Sequence, residues 1–216
     1  MNHISPDVLK TALQDVVLSY APGELAYLAL TSKPELTVRD RLAWALHKRL
    51  AGAVVAREWR NSTGWIDLAV LDAAGNRPLA LLELKAAYTF DFAHPDRPRA
   101  MDYRNKMAAD ATKLVHADGT DHGTPRYVLL LLTHPMAIPS LGGAAVKYRP
   151  GVSAALRAHG PRRLRHMAGH SVRTLLACLG PLHQGTWDGG MAFGVHVAID
   201  YWLVGPLTWG GPELKA

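Results

Sequence analysis

Two apolar segments that contain charged residues constrain the fold of this chain most strongly. Residues 65–71 and 79–88 are apolar at most positions, and residues 72–76 between them are rich in turn formers. Two apolar runs of strand length that are joined by a short glycine-containing turn predict an antiparallel β-hairpin. Asp67 lies inside the first run, whereas Glu83 and Lys85 lie inside the second.

The spacing of these charged residues brings them together. Side chains alternate between the two faces of a strand, so Glu83 and Lys85 point to the same face, and Asp67 on the neighbouring strand can meet them there. Charged groups in core strands are costly unless they are paired or bind a metal ion. We therefore interpret Asp67, Glu83 and Lys85 as a candidate active site, with a structural ion cluster as the alternative.

The residue types suit one kind of chemistry. Aspartate and glutamate oxygens are hard ligands for Mg²⁺, which prefers carboxylates together with water and substrate phosphate. A bound divalent ion polarises a scissile phosphate and lowers the pKa of a coordinated water. A lysine beside it can orient that water or stabilise negative charge in the transition state. The pattern indicates phosphodiester hydrolysis with Mg²⁺ as cofactor and Mn²⁺ as its substitute.

The hydrophobic period along the rest of the chain predicts alternating helices and strands. Helices are expected over residues 5–20, 24–30, 37–52, 99–116, 151–158 and 170–179, and further strands over residues 53–59, 126–133 and 194–204. This order is typical of an α/β fold with a central mixed sheet that is flanked by helices.

The length of 216 residues fits a single domain. Within a domain over residues 1–216, we predict an N-terminal helical segment (1–36), a catalytic core (37–135), and C-terminal helices with a final strand (136–216).

Asp67 followed by Glu83-Leu84-Lys85 on the next strand resembles the PD-(D/E)xK nuclease superfamily, which includes restriction, repair and defence nucleases. The resemblance covers residues 37–133. It implies a restriction-endonuclease-like core in which Asp67 and Glu83 bind the metal ion and Lys85 serves the attacking water. The implied activity is that of a metal-dependent nuclease.

Two features of the family pattern leave choices open. Ile66 stands where many members have proline before the aspartate, and that proline is often absent. Members often add an acidic metal ligand from the first core helix, for which Glu35 and Asp40 are the candidates. Each also fits a capping box, in which the carboxylate only satisfies backbone N–H groups.

The charge balance favours a polyanionic partner. The formal charge is +6 with the eleven histidines neutral. Lys106 and Lys113 on the helix after the site strands are candidate contacts to phosphates, and so is a basic cluster further along the chain, for which a solvated surface is the alternative. The candidates in that cluster are Arg157, Arg162, Arg163 and Arg165.

These observations predict a DNA endonuclease of the restriction or defence type. A catalytically silent nucleic-acid-binding or assembly subunit with the same fold is the alternative. Cleavage of both strands commonly takes two sites, so a homodimer is plausible.

Composition and patterning also predict where the chain resides. No apolar run is long enough to cross a bilayer, and the N-terminal residues do not follow a signal-peptide pattern, so we expect no membrane partner and a cytoplasmic location. The single cysteine, Cys178, excludes an intramolecular disulfide, and its aliphatic surroundings predict a core position.

Overall fold

The structure is a computed structural model that describes residues 4–94, 96–121 and 123–207. Its strands are β1 (Val54–Asn61), β2 (Gly64–Leu71), β3 (Pro78–Tyr88), β4 (Arg126–Pro135), β5 (Leu182–Ala192) and β6 (Val195–Val204). Its helices are α1 (Pro6–Leu18), α2 (Glu24–Thr31), α3 (Glu35–Arg49), α4 (Pro98–Val115), α5 (Arg149–His159) and α6 (Pro161–Leu176), and a short 3₁₀ helix covers Thr89–Phe92.

The six strands form one mixed sheet in the order β1-β2-β3-β4-β6-β5. Strands β1, β2 and β3 pair antiparallel, so the predicted hairpin is confirmed. Strand β4 is parallel to β3, with α4 in the connection between them, and β6 pairs antiparallel with both β4 and β5. The predicted α/β class, with a central mixed sheet flanked by helices, is confirmed.

Each face of the sheet is covered by a separate set of helices. On one face, Leu82 and Leu84 of β3 belong to a core with Leu42 and Leu46 of α3. On the other face, Leu81 belongs to a core with residues of α4 and α6. Glu83 and Lys85 alternate with the residues of the first core, so both point to the α4–α6 side of the sheet. In the part of the chain that the structure describes, no helix is both long and apolar enough to span a bilayer.

Strand β5 was not predicted, and the expected single final strand is in fact a pair. The glycines of β5 lower its intrinsic tendency to form a strand, and pairing with β6 stabilises it. One of these glycines is required by packing, because a Cβ at Gly185 would lie 2.4 Å from the ring of Tyr201. Cross-strand packing therefore selects glycine there at the expense of β propensity.

The second C-terminal helix also differs from the expectation over residues 170–179. Pro161 fits the first turn of α6, so the helix begins earlier than its aliphatic stretch, and it ends at Leu176. Cys178 lies beyond this end and is exposed, so its predicted core position is wrong.

Candidate active site

The candidate site forms where β2 separates from β3. Paired residues along this ladder run only as far as Leu68 and Leu82. On the other side of β2, Glu58 of β1 has a left-handed φ of 51°, which is uncommon for a residue with a side chain. Ile66 packs on the α4–α6 side, although Leu68 packs on the opposite side together with α3. In a regular strand, residues 66 and 68 would lie on the same face. Because they pack into cores on opposite sides of the sheet, β2 is distorted at Asp67.

The gap leaves one edge of β3 unpaired, and two carboxylates bind its backbone. Asp67 Oδ2 accepts a hydrogen bond of 2.8 Å from Leu84 N, and Glu35 Oε2 accepts one of 2.9 Å from Ala86 N. Alternate residues of a strand present their N–H groups to the same edge. Asp67 and Glu35 are therefore neighbours along the open edge of β3, although they come from a strand and a helix.

The predicted capping role of Glu35 is not what the structure shows. Glu35 begins α3, whose N-cap residue, Pro34, makes no side-chain capping bond. The Glu35 carboxylate binds the strand edge instead. A residue in the first turn of α3 thus delivers an acid to the candidate site.

Helix α4 covers the same site with one acid and one base. Lys85 Nζ lies 2.7 Å from Asp110 Oδ2 and 3.9 Å from Glu83 Oε2. Lys113 Nζ lies 2.5 Å from Glu83 Oε1, and it also donates a hydrogen bond to the backbone oxygen of Trp65. Only 4% of the Glu83 side chain is exposed. Acids and bases thus alternate around a carboxylate that is almost fully removed from water.

Burial sets the electrostatics of this cluster. It raises the pKa of Glu83 to about 8, and the charges of Asp67 and Asp110 add to the rise while Lys113 opposes it. Burial also raises the pKa of Glu35. For Lys85, burial favours the neutral amine, but the hydrogen bond with Asp110 and the surrounding carboxylates outweigh it, so the pKa is raised and the ammonium persists.

The donor set fits a divalent cation with few protein ligands. No three acidic, histidine or cysteine side chains among the described residues are grouped as they would be around one ion. Mg²⁺ commonly takes one or two carboxylates and keeps several waters. Asp67 and Glu83 could supply those carboxylates. The backbone oxygen of Leu84, the residue after Glu83 on β3, accepts a hydrogen bond of 3.0 Å from Lys85 Nζ.

The structure places the second candidate acid elsewhere. Asp40 pairs with Arg39 Nε and with Arg57 Nη1, each at 3.0 Å. Arg39 in turn pairs with Glu58 at 2.9 Å. Asp40 is therefore held in an ion cluster between α3 and β1, and the capping role considered for it is not seen either.

The residues predicted to contact nucleic acid lie in different surroundings. Lys113 lies inside the candidate site, whereas Lys106 is exposed and pairs with Asp102 one turn earlier on α4. Arg165 is bound to Asp200 of β6. The remaining arginines, Arg157, Arg162 and Arg163, are on the surface of α5 and α6.

Sequence reasoning did not assign Asp110 or Tyr103 to the site. Tyr103 is half-buried and donates a hydrogen bond of 3.4 Å to the backbone oxygen of Ala86. Tyr103, Asp110 and Lys113 recur at helical spacing, so they share one face of α4. That spacing was the available signal, but it does not tell a face that covers a site from one that meets solvent.

Comparison of the chain with protein-family models, with characterised proteins and with solved structures found no significant match. The geometry of Asp67, Glu83 and Lys85, together with Glu35 on the same strand edge, is therefore the basis for a functional assignment.

Proposed function

We propose that this chain is a Mg²⁺-dependent nuclease with a restriction-endonuclease-like core, and that its substrate is DNA, cut internally as in restriction or defence enzymes. The observation that supports this most is the cluster at the break between β2 and β3. There Asp67 binds the β3 edge, and the almost fully buried Glu83 lies 3.9 Å from Lys85. A carboxylate buried at such cost, with a strongly perturbed pKa, is characteristic of functional sites.

Each residue has a role in the proposed reaction. Asp67 and Glu83 would hold the divalent ion, and Glu35 is the neighbouring acid on the open edge of β3. When bound, the ion supplies Lewis-acid polarisation of the phosphate and a water of lowered pKa. The Lys85 ammonium, held by Asp110, orients the attacking water and stabilises negative charge that develops on the phosphate.

Nucleic acid would approach over a basic surface. Arg157, Arg162 and Arg163 on the surface of α5 and α6 and the exposed Lys106 can contact phosphates without reading sequence. A homodimer would place two such sites on one duplex, the arrangement that cleavage of both strands commonly takes.

One contact favours the alternative of a catalytically silent nucleic-acid-binding or assembly subunit. Lys113 Nζ lies 2.5 Å from Glu83 Oε1, so an ammonium already neutralises one of the two proposed ligands. A divalent ion would have to displace it. If Lys113 holds that position permanently, the site is a structural ion cluster and the chain binds nucleic acid without cutting it.

Cleavage of supercoiled plasmid separates the two functions. With Mg²⁺ or Mn²⁺ we expect nicked and linear products, and none with EDTA, because hydrolysis depends on the bound ion. Asp67→Asn should lose cleavage and also Mn²⁺ binding measured by titration calorimetry. Asp102→Asn, a change of the exposed acid on α4, is the matched control and should keep both.

Parallel reactions with single-stranded DNA and RNA would test the choice of substrate. Wild-type protein that binds plasmid but neither cuts any of these substrates nor binds Mn²⁺ would refute the nuclease and favour the silent subunit.

A further inference from the structure

A pocket separate from the candidate active site lies on the α4–α6 side of the sheet, away from β2 and β3. It encloses about 460 Å³ between α6, the end of β4, and strands β5 and β6. None of its lining residues belongs to the candidate active site. Its chemistry is therefore separate from the proposed cleavage reaction.

One face of α6 forms the basic wall of this pocket. The lining positions on the helix are Arg162, Arg165, His166, Gly169 and Arg173. They recur at spacings of three and four residues, as expected for side chains on one helical face. Three guanidinium groups thus border a single cavity.

The pocket contains one carboxylate among its described lining residues, and that group is fully engaged. Asp200 Oδ1 accepts from Arg165 Nη2 at 2.5 Å and from Thr186 Oγ1 at 2.7 Å, while its Oδ2 accepts from Arg165 Nε at 2.8 Å. This bidentate ion pair neutralises Arg165 and fixes the position of its side chain in the wall of the pocket.

The other two arginines are left available. Arg173 Nη1 contacts only the amide oxygen of Gln184, at a long 3.5 Å, and Arg162 has no acidic partner in the described part of the chain. The lining therefore carries an excess of positive charge, supplied by two guanidinium groups that can turn toward a ligand.

The floor of the pocket also has an unsatisfied donor. Trp202 lines it, is 4% exposed, and its indole Nε1 has no acceptor among the described residues. Buried donors without a partner are rare in folded proteins and call for an acceptor. Gly169 lies beside both groups, because a Cβ at this position would be in ordinary van der Waals contact with Arg173 Nη1 at 3.5 Å and with the Trp202 ring at 3.8 Å.

We propose that this pocket binds a phosphate group. Arginine presents paired N–H donors that match the oxygens of a phosphate, and a charge-assisted bond of this kind is about twice as strong as a neutral one. Arg162 and Arg173 hold the phosphate oxygens, and the pair of Arg165 with Asp200 keeps the pocket in shape. This assignment does not depend on the proposed nuclease activity.

Inorganic phosphate is the probe for the test, in calorimetric titrations at low ionic strength with chloride as the matched anion. We expect saturable binding of phosphate that Arg162→Gln and Arg173→Gln each weaken by about tenfold, because each removes one charge-assisted contact. Both side chains are on the surface of α6, so unchanged thermal unfolding should confirm that the variants fold.

Arg60→Gln is the matched control, since this exposed arginine on β1 does not line the pocket. It should bind phosphate as the wild type does. Equal weakening in Arg60→Gln would reveal a diffuse effect of surface charge and overturn the proposal, as would the absence of saturable phosphate binding in the wild type.

Competition identifies the source of the phosphate. A 5′-phosphorylated oligonucleotide that displaces phosphate, where its 5′-hydroxyl counterpart does not, would support a nucleic-acid end as the ligand. Displacement by a nucleoside monophosphate and not by the oligonucleotide would support a free nucleotide in the same pocket.

Discussion

Lys85→Ala is expected to slow phosphodiester cleavage by about a hundredfold or more while leaving nucleic-acid binding nearly unchanged. Lys85 is a single positioned group beside Glu83, held by Asp110 at 2.7 Å. Its removal therefore eliminates the group that is proposed to orient the attacking water and stabilise negative charge on the phosphate. Binding of a long polyanion draws on many basic side chains. Loss of one lowers the affinity modestly and reduces the salt slope by about one.

Plasmid nicking and filter binding on the same preparations would measure the two effects. Lys10→Ala is the control, because this lysine lies on α1 and pairs with the exposed Asp7. Asp67→Ala should also stop cleavage, but through weakened metal binding, so excess Mn²⁺ should partly restore it and should not restore Lys85→Ala. Thermal unfolding would establish that Lys85→Ala still folds when Asp110 has lost Lys85 and keeps its contact of 4.0 Å with Lys113. Full activity in a folded Lys85→Ala would show that this lysine is structural.

Glu83→Gln is expected to stabilise the metal-free protein at alkaline pH while abolishing cleavage. Burial raises the pKa of Glu83 to about 8 from an ordinary value of 4.5, so the folded state favours the protonated carboxyl. For a group whose pKa is raised on folding, its contribution is fully present below pH 4.5 and is lost as the pH rises through 8. Glutamine mimics the protonated form and avoids that loss.

The free energy of unfolding of Glu83→Gln should therefore match the wild type near pH 4 and exceed it by about 2 kcal/mol above pH 8. The pKa of about 8 already includes the opposing effect of Lys113. The figure is kept below the full linkage value because the glutamine amide carries two N–H donors where the protonated carboxyl has one O–H. Urea denaturation of both proteins in EDTA at the two pH values would measure it. A structural ion pair predicts the opposite, since removing one partner leaves the other buried and uncompensated. Destabilisation of Glu83→Gln at alkaline pH would thus show that Glu83 is a structural ion-pair partner, and would refute its burial as a functional carboxylate.

Local pattern was sufficient for the elements that hold the site. The turn between two apolar runs predicted the pairing of β2 with β3, and the alternation of Glu83, Leu84 and Lys85 predicted a shared face for the two charged residues. These features depend on interactions between near neighbours in sequence, which periodicity and turn chemistry report directly. Strand β5 could not be found in this way, because two of its glycines, Gly185 and Gly189, are selected by close contacts with β6.

The composition of the site itself was decided by tertiary structure. The sequence determined that Asp67, Glu83 and Lys85 would lie in a hairpin of apolar strands. It did not determine whether Glu35, Asp40 or the charged residues of α4 contact that hairpin. Glu35 reaches the open edge of β3, whereas Asp40 is held by arginines, and both had fitted the same capping pattern. Partners distant along the chain determine which charge is buried and what compensates it, because the desolvation of a charged group depends on everything packed around it.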